Sequence, residues 1–452
     1  MKKILIYIFL IIFIISAFSF WSIVSKGYDR QNKVILILKK IISPHFARKI
    51  KNTIFYIPNL KEKNRSLNLQ VKKYEQGLEG QLFKESESLS QKERKYNVKE
   101  FFLPFPRLDT RVGWAAKKNS KRAHYLEIVK DKVLVISGLG QTIYFDKENI
   151  TLKKLNQKEI KNNIKELLKE KNYELFGIRD LFFEDDYIYI SMLHKDKKKG
   201  ITINLYRAEF NFNKLNFETY FETNEYWPIH NVFTGGRIET FKDGKILFSI
   251  GFSKKYEASQ DKNSLLGKII AIDKKTKNFE LISFGHRNPQ GLFFSNKNNL
   301  IINTEHGPYG GDEINFNFLE NNSIEKNFGW PISSTGKPYP GEEFLFEKNN
   351  WLTKSHKENG FISPIKSYSP AIGISEIVFL EERKKKILYV SSLRAGSIYI
   401  INLDQKLNKI LDEDRLFFNE QRIRDFEFDS ETNSFFVLFE YTPSIAIIKK
   451  LN

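Results

Sequence analysis

Short strands with alternating apolar and polar residues recur along most of the chain. Six segments share one shape, in which an alternating strand and a short acidic, Asn or Gly turn precede a strongly apolar strand. The six apolar strands are residues 133–139, 187–193, 246–252, 300–306, 387–393 and 435–441. Their successive starts are 54, 59, 54, 87 and 48 residues apart.

The spacing of these apolar strands is typical of a β-propeller. A four-stranded sheet with its loops takes about 40 to 50 residues, and six such sheets closing radially make a propeller. We therefore predict an all-β fold, a six-bladed β-propeller over residues 101–452. A large β-sandwich is the alternative, but a sandwich does not require six similar units.

The longest interval predicts an insertion between about Gly307 and Pro370. It begins with a glycine-rich stretch in which Asp312 and Glu313 offer carboxylates. Backbone carbonyl and carboxylate oxygens are the ligands that calcium prefers, so this stretch is a candidate calcium site. The alternative is that the glycines only turn the chain and that the acids pair with nearby lysines.

The N-terminus has a different pattern. Lys2 and Lys3 precede an uninterrupted apolar stretch over residues 4–24, and about 20 apolar residues suffice for one bilayer crossing. We predict a transmembrane signal anchor over residues 1–25, with a cleaved signal peptide as the alternative. Residues 26–100 are predicted to form a basic juxtamembrane segment and a partly helical stalk.

Net charge and composition indicate which classes of partner the chain can bind. The chain of 452 residues carries 73 Lys and Arg against 54 Asp and Glu, a surplus of 19. Residues 26–65 contain eleven of the basic residues and two of the acids, so 11 − 2 = 9 of this surplus lies beside the apolar stretch. This segment fits either anionic headgroups or a solvated linker. No basic stripe interleaved with aromatic residues occurs, so we expect no nucleic-acid partner. The absence of cysteine excludes disulfides and thiolate chemistry.

Six ordered motifs resemble a known family. They are residues 235–238, 260–261 with 267–269, 285–292, 305–308 with 311–315, 327–331 and 421–425. In this order they are similar to the motifs of the glucose/sorbosone dehydrogenase family. The resemblance implies a six-bladed propeller that binds pyrroloquinoline quinone (PQQ) with Ca²⁺. It also implies oxidation of a sugar or polyol by hydride transfer to PQQ, and a possible respiratory electron acceptor.

The resemblance assigns site residues by position. The residues that fall on the family's cofactor contacts are Arg287, Asn288, Gln290, His306, Arg394, Arg422 and Arg424. Gly307 and Pro308 fall on the positions whose carbonyls hold calcium. Arginines suit PQQ because guanidinium groups bind carboxylates in a bidentate way and stack on flat rings.

One departure from the family concerns the catalytic base. The family's general-base histidine corresponds here to Phe233, which cannot accept a proton. His230 lies three residues upstream and is a weak substitute. Two hypotheses follow: a membrane-anchored PQQ-dependent dehydrogenase, or a catalytically impaired propeller that binds a ligand or a protein.

The resemblance also bears on location. PQQ chemistry that feeds a respiratory chain would place the propeller in the periplasm, held to the cytoplasmic membrane by a single-pass anchor. The basic flank argues for the opposite orientation, but long domains translocate largely regardless of flanking charge.

Overall fold

The computed structural model describes residues 80–105, 123–148, 153–228, 233–319, 326–382, 385–418 and 421–451. Within these ranges, the strands form six sheets of four or five strands. The predicted six-bladed β-propeller is therefore confirmed.

Strands and helices are numbered here in chain order. The chain enters the propeller through β1 (Leu82–Leu89) and β2 (Lys95–Phe102). Blade 1 contains β3 (His124–Val129), β4 (Lys132–Ser137), β5 (Thr142–Asp146), β6 (Lys158–Asn162) and the short β10 (Lys214–Leu215), and the helix α1 (Ile164–Glu170) follows β6. Blade 2 contains β7 (Tyr173–Glu184), β8 (Tyr187–Asp196), β9 (Gly200–Glu209) and β11 (Glu218–Glu222). Blade 3 contains β12 (Gly235–Phe241), β13 (Lys245–Ile250), β14 (Lys268–Asp273) and β15 (Phe279–Phe284).

The other three blades complete the ring. Blade 4 contains β16 (Pro289–Ser295), β17 (Leu300–Glu305), β18 (Asp312–Phe318) and β19 (Lys366–Tyr368), with the helix α2 (Glu343–Lys348) between β18 and β19. Blade 5 contains β20 (Ile374–Glu382), β21 (Lys385–Ser392), β22 (Ser397–Leu403) and β23 (Ile410–Phe417). Blade 6 contains β24 (Ile423–Asp429), β25 (Ser434–Phe439) and β26 (Ser444–Lys450), followed by β2 and β1.

Six apolar clusters lie between successive blades and close the ring. Between blades 4 and 5, for example, Leu300 and Ile314 pack against Leu388. Both faces of each sheet are thus covered, so the second strand of every blade is apolar on both sides, which is the pattern in the sequence. Each fully buried leucine or isoleucine contributes about 1.5–3 kcal/mol.

Blade 6 corrects the predicted stalk boundary. Strand β2 pairs with β26 from Tyr96↔Lys450 to Phe102↔Ser444, and β1 then pairs with β2. Residues 82–100 therefore belong to the propeller and not to a stalk. Apart from Leu89, the exposed side chains of β1 are charged because it is the outermost strand, and this composition looked like a solvated segment.

The predicted insertion also starts later than expected. Asp312 and Glu313 begin β18, which pairs with β17 along its whole length, so these acids lie on a strand and not in a loop. The additional chain lies between β18 and β19, at residues 319–365. The sequence pattern did not reveal β18 as a strand, because Asn315 and Asn317 occupy buried positions where apolar residues are usual.

No helix in the described ranges is long and apolar enough to span a membrane. The predicted anchor over residues 1–25 and the stalk up to residue 79 lie outside these ranges.

The topology gathers several loops at one end of the ring. The first strands β3, β7, β12, β16, β20 and β24 contact one another in order around the central channel. Each starts at the same face, where the second strand of its blade ends. The loops at residues 233–235, 285–288, 306–311, 369–373 and 440–443 therefore meet at this face, which we call the site face.

Candidate functional site

Five of the predicted cofactor contacts are joined by hydrogen bonds on the site face. Asn288 Nδ2 lies 3.1 Å from His306 Nδ1, and Arg287 Nη1 donates to the His306 carbonyl at 2.8 Å. Gln290 Nε2 donates to Asn288 Oδ1 at 3.3 Å and its Oε1 accepts from Arg424 Nη1 at 2.8 Å. Residues far apart in sequence thus form one connected group.

The hydrogen bonds fix the tautomer of His306. Asn288 Oδ1 accepts from the Gly235 backbone amide, so the Asn288 Nδ2 group is the donor to His306 Nδ1. The imidazole proton then resides on Nε2, a buried atom with no partner among the described residues. Burial, with Arg424 and Arg287 nearby, lowers the pKa of His306 to about 3, so the ring is neutral. His306 therefore presents one N–H donor and is a poor base.

Arg287 lies in a cage of aromatic rings. Its guanidinium carbon is 4.7 Å from the centroid of Phe233, 5.1 Å from Trp330, 5.3 Å from Phe252 and 5.9 Å from Tyr339. Aromatic faces attract a cation, and this attraction strengthens when water is excluded. Arg287 is only 3% exposed, and its Nε has no partner within the described residues. We refer to these four rings as the Arg287 cage.

Arg422 and Arg424 share one carboxylate. Their Nε atoms donate to the two oxygens of Glu440 at 2.8 and 2.9 Å. One carboxylate against two guanidinium groups leaves a positive charge next to Gln290. Arg422 Nη1 also donates to the Leu393 carbonyl at 3.4 Å, which places the exposed Arg394 beside the pair.

A buried hydrogen-bond chain supports this group from below. His286 lies between Ser283 Oγ at 2.8 Å and Glu305 Oε2 at 2.9 Å, and the other Glu305 oxygen accepts from the Arg287 amide at 2.7 Å. The connectivity resembles a nucleophilic triad, but Ser283 and His286 are 1% and 0% exposed. The chain thus holds the backbone of Arg287 in place, as expected of a structural histidine.

The predicted calcium carboxylates are engaged elsewhere. Asp312 accepts from the amides of Gly307, Gly373 and Ile374 at 3.3, 2.6 and 3.0 Å, and burial raises its pKa to about 6. Glu313 accepts from the amide and hydroxyl of Thr335 at 3.1 and 2.9 Å.

Burial and the nearby Glu305 raise the pKa of Glu313 to about 7. Across the described ranges, no three His, Asp or Glu side chains are grouped so that they could hold a metal ion. Both carboxylates accept hydrogen bonds from the chain itself and brace backbone segments, and the assignment of Asp312 and Glu313 as calcium ligands stays a prediction. Gly307 and Pro308 are buried next to them, and their assignment as carbonyl ligands of calcium also stays a prediction.

Phe233 stands at the site, as its position in the motif predicts. Its ring packs on Phe252 at 5.4 Å and on Arg287, so the family's base position here belongs to the Arg287 cage. His230 lies outside the described residues.

Three parts of the site were missed from sequence. Glu440 binds both arginines of the pair, Tyr339 reaches the Arg287 cage from the insertion, and Arg237 fills the channel beneath. A signal existed for Glu440: it follows an apolar strand at the site face, as Glu305 does at the end of β17. Tyr339 had none, because it lies outside the six motifs.

The residues present fit PQQ, a planar tricarboxylate. Arg287 Nε and His306 Nε2 are buried atoms without partners in the described part of the chain, and the arginine pair carries surplus charge beside them. Donors of this kind suit carboxylate and carbonyl oxygens.

Comparison with known proteins shows the family of the chain. Residues 151–444 match the family model described as Glucose / Sorbosone dehydrogenase. The aldose sugar dehydrogenase YliI of Escherichia coli (strain K12) is 25% identical over 275 residues, which are 55% of this chain and 70% of that protein.

Solved structures agree in fold. The soluble aldose sugar dehydrogenase from Escherichia coli in the apo form has a TM-score of 0.56 at 18% identity, over 79% of this chain and 100% of that one. The PQQ-bound aldose sugar dehydrogenase from Streptomyces coelicolor has a TM-score of 0.53 at 17% identity, over 79% and 98%. With a family model that matches most of the chain and a propeller of the same kind, this protein belongs to the glucose/sorbosone dehydrogenase family.

Proposed function

We propose that this protein binds PQQ on the site face and acts as a PQQ-dependent dehydrogenase of a sugar or another polyhydroxy compound. One observation carries the proposal: Arg287 Nε and His306 Nε2 are buried polar atoms without partners among the described residues, next to the Arg422 and Arg424 pair. Buried unpaired donors are costly unless a ligand accepts from them.

Each residue has a definite task in this proposal. The arginines bind carboxylates, and His306 donates from Nε2 to a carbonyl or carboxylate oxygen. The Arg287 cage excludes water from the guanidinium and so strengthens its interaction with an anion. When bound, PQQ supplies a quinone that accepts hydride from a carbon bearing a hydroxyl group. A Ca²⁺ ion at this face would be held by the carbonyls of Gly307 and Pro308, because the carboxylates of Asp312 and Glu313 already accept hydrogen bonds from the chain.

The proton of the substrate hydroxyl needs an acceptor. Phe233 provides none, and His306 is neutral with its Nδ1 already bonded to Asn288. Loss of a general base typically costs about 10²- to 10⁴-fold in rate. We therefore expect slow turnover in the wild-type protein.

Turnover by the PQQ-loaded protein tests the proposal. Purified protein is incubated with PQQ, freed of excess cofactor and assayed with an artificial electron acceptor on a panel of aldoses and polyols. We expect weak oxidation of at least one compound, and about 10²-fold faster oxidation by Phe233→His. Protein that retains no PQQ would overturn the proposal.

A second function is favoured by Phe233 itself. Because the base position is built into the Arg287 cage, the propeller could bind its ligand without oxidising a substrate. Stable PQQ binding with no turnover, in both the wild type and Phe233→His, would favour this binding module over the dehydrogenase.

We also propose that residues 1–25 anchor the propeller to the outer face of the cytoplasmic membrane, where a respiratory acceptor could take the electrons. The apolar length of residues 4–24 supports this. Protease added to spheroplasts should cleave the propeller from the cells. Protection of the propeller would contradict the periplasmic location.

A further inference from the structure

Lys268 is a fully buried lysine whose charge is met by carbonyl groups alone. It is the first residue of β14 and is 0% exposed. Its Nζ donates to the carbonyls of Ala258, Ser259 and Leu266 at 2.7, 3.1 and 2.7 Å, so all three ammonium hydrogens have acceptors. No ion pair joins Nζ to a carboxylate within the described residues. Convergent backbone carbonyls around one positive centre are the arrangement by which proteins hold metal cations.

The three carbonyls belong to one long connection. Residues 251–267 link β13 to β14 on the site face and contain only one 3₁₀ turn, Glu257–Ser259. We call this segment the blade 3 loop. With so little regular structure, the carbonyls of Ala258, Ser259 and Leu266 would repel one another without a cation between them.

The blade 3 loop touches the backbone that carries Arg287. The Gly285 amide donates to the Ser259 carbonyl at 2.9 Å, and the His286 amide donates to the Gly267 carbonyl at 3.1 Å. A side chain at Gly267 would collide with Ser259 and with the His286 carbonyl, so the two segments are in close contact. Displacement of the loop would therefore move residues 285–287.

The same loop also holds the opposite side of the Arg287 cage. Gln260 Nε2 donates to the Trp330 carbonyl at 2.7 Å, and its Oε1 accepts from Asn327 Nδ2 at 2.8 Å. Tyr256 packs on Trp330 with ring centroids 5.8 Å apart. The loop thus connects the Lys268 ammonium to both Arg287 and one of its aromatic walls.

We propose that the Lys268 ammonium is a built-in cation that holds the blade 3 loop, and through it the Arg287 cage, in the conformation that binds ligand. Lys268 is in this sense a positioning residue. The Lys268 ammonium would take the place that a metal ion could occupy among the three carbonyls, so the loop needs no ion from solution.

The surroundings make this charge sensitive to pH. Burial lowers the pKa of Lys268 to about 8, while the charged groups facing it, Asp261 and Glu225, act in the opposite direction. Glu225 caps the loop from outside by accepting from the Ser264 hydroxyl and the Leu265 amide at 2.7 and 2.8 Å. Loss of the ammonium proton at alkaline pH would leave the carbonyls without one of their donors.

Hydrogen exchange tests the proposal without any ligand. Lys268→Met keeps the aliphatic volume and removes the charge, and Lys255→Ala, an exposed lysine of the same loop, is the matched control. We expect Lys268→Met to exchange at least about tenfold faster at residues 252–267 and at the Gly285 and His286 amides. The Phe418 amide of blade 5, which donates to Gly396, is the internal reference and should not change. Wild-type exchange in Lys268→Met, or equal acceleration in blade 5, would overturn the proposal.

Chemical rescue separates a cation role from simple packing. In Lys268→Ala, propylammonium should restore protection of the blade 3 loop, whereas tetramethylammonium, which has the charge but no N–H donors, should not. Equal rescue by both ions, or by neither, would contradict the proposal.

If both variants fail to fold, the wild type still provides a test. The exchange protection of the blade 3 loop relative to the Phe418 amide should fall as pH rises from about 6.5 to 9.5. A constant ratio would overturn the proposal.

A PQQ titration of Lys268→Met, which rests on the proposed function, should show weaker binding. If the wild type binds no PQQ, only the proposed function fails, because the exchange results stand apart from it.

Discussion

Two buried arginines close to the propeller axis, Arg237 and Arg287, are kept charged in different ways. In the channel, Arg237 donates to Asp180 and Asp425 at 2.7 and 2.8 Å and lies 2.6 Å from Glu376. Its Nε donates to the Gln290 carbonyl at 2.6 Å. This arginine satisfies its donors entirely within the protein, and acceptors from blades 2, 4, 5 and 6 meet at its guanidinium.

Arg287, on the site face, has no carboxylate at its side chain. Its Nη1 donates to one carbonyl, its Nε has no partner in the described ranges, and aromatic rings surround the rest. A buried cation with a structural role can therefore be distinguished from one that binds a ligand by whether its donors are all paired within the protein. A fully paired buried charge fixes the fold, whereas a buried charge with donors left over favours an anionic ligand.

The largest expected effect is on stability at Arg237. Replacement by Met leaves the carboxylates of Asp180, Glu376 and Asp425 buried without their cation, so we expect a loss of about 3–5 kcal/mol in the free energy of unfolding. Urea unfolding at pH 7 measures it. Arg207→Met, at an arginine paired with the exposed Glu218, should cost less than about 1 kcal/mol. Equal losses of stability in both variants would show that the buried carboxylate pairs of Arg237 contribute no more than an exposed pair.

At Arg287 we expect a small effect on stability and a large effect on ligand binding. Arg287→Met should change the free energy of unfolding by less than about 1.5 kcal/mol, because a buried charge is removed together with its hydrogen bond to the His306 carbonyl. The same variant should weaken PQQ binding by roughly 10- to 100-fold, the value of one charge-assisted contact. Fluorescence titration and urea unfolding of the same sample measure both. A large loss of stability with unchanged binding would make Arg287 a structural residue like Arg237.

The channel should also impose a pH dependence on stability. Burial and the neighbouring Asp180 and Glu184 raise the pKa of Glu239 to about 8. A carboxyl group whose folded pKa is raised binds its proton more tightly in the folded state, so stability should fall as pH rises from about 4.5 to 8. Glu239→Gln should be more stable than the wild type by about 1–2 kcal/mol at pH 8.5 and equal to it near pH 4. A difference independent of pH would show that the charge is not responsible.

The smallest effect is expected at the wall of the Arg287 cage. Phe233→Leu keeps an apolar side chain but removes one cation–π contact, worth about 0.5–1 kcal/mol. PQQ affinity should therefore fall by about two- to fivefold. Phe318→Leu, at an exposed ring of β18, is the control and should bind as the wild type does. Unchanged affinity in Phe233→Leu would show that the ring only fills space.

Much of the fold could be predicted because each blade repeats one pattern. The six apolar strands coincide with β4, β8, β13, β17, β21 and β25, since burial on both faces makes these strands apolar throughout. Strands β1 and β2 could not be recognised in this way. They complete a blade whose other strands lie at the far end of the chain, and one of them is an exposed polar edge.

The residues that the motifs contain could be predicted to meet on the site face, whereas the residues that support them from other segments could not. Arg287, Asn288, Gln290 and His306 come together as their motifs indicate. The hydrogen bonds of Asp312 and Glu313 to backbone amides could not be predicted, because a carboxylate that caps amides has the same local sequence as one that binds calcium. Glu440 and Lys268 act through contacts between segments distant in sequence, so neighbouring residues carry little sign of their roles.

The most direct test of the central claim is a PQQ titration of the purified propeller, with and without Ca²⁺, alongside Arg287→Met. We expect saturable binding of one PQQ per chain to the wild type and a clear loss of affinity in the variant. Absence of PQQ binding to the wild type under both conditions, or equal binding by wild type and Arg287→Met, would contradict PQQ binding at Arg287.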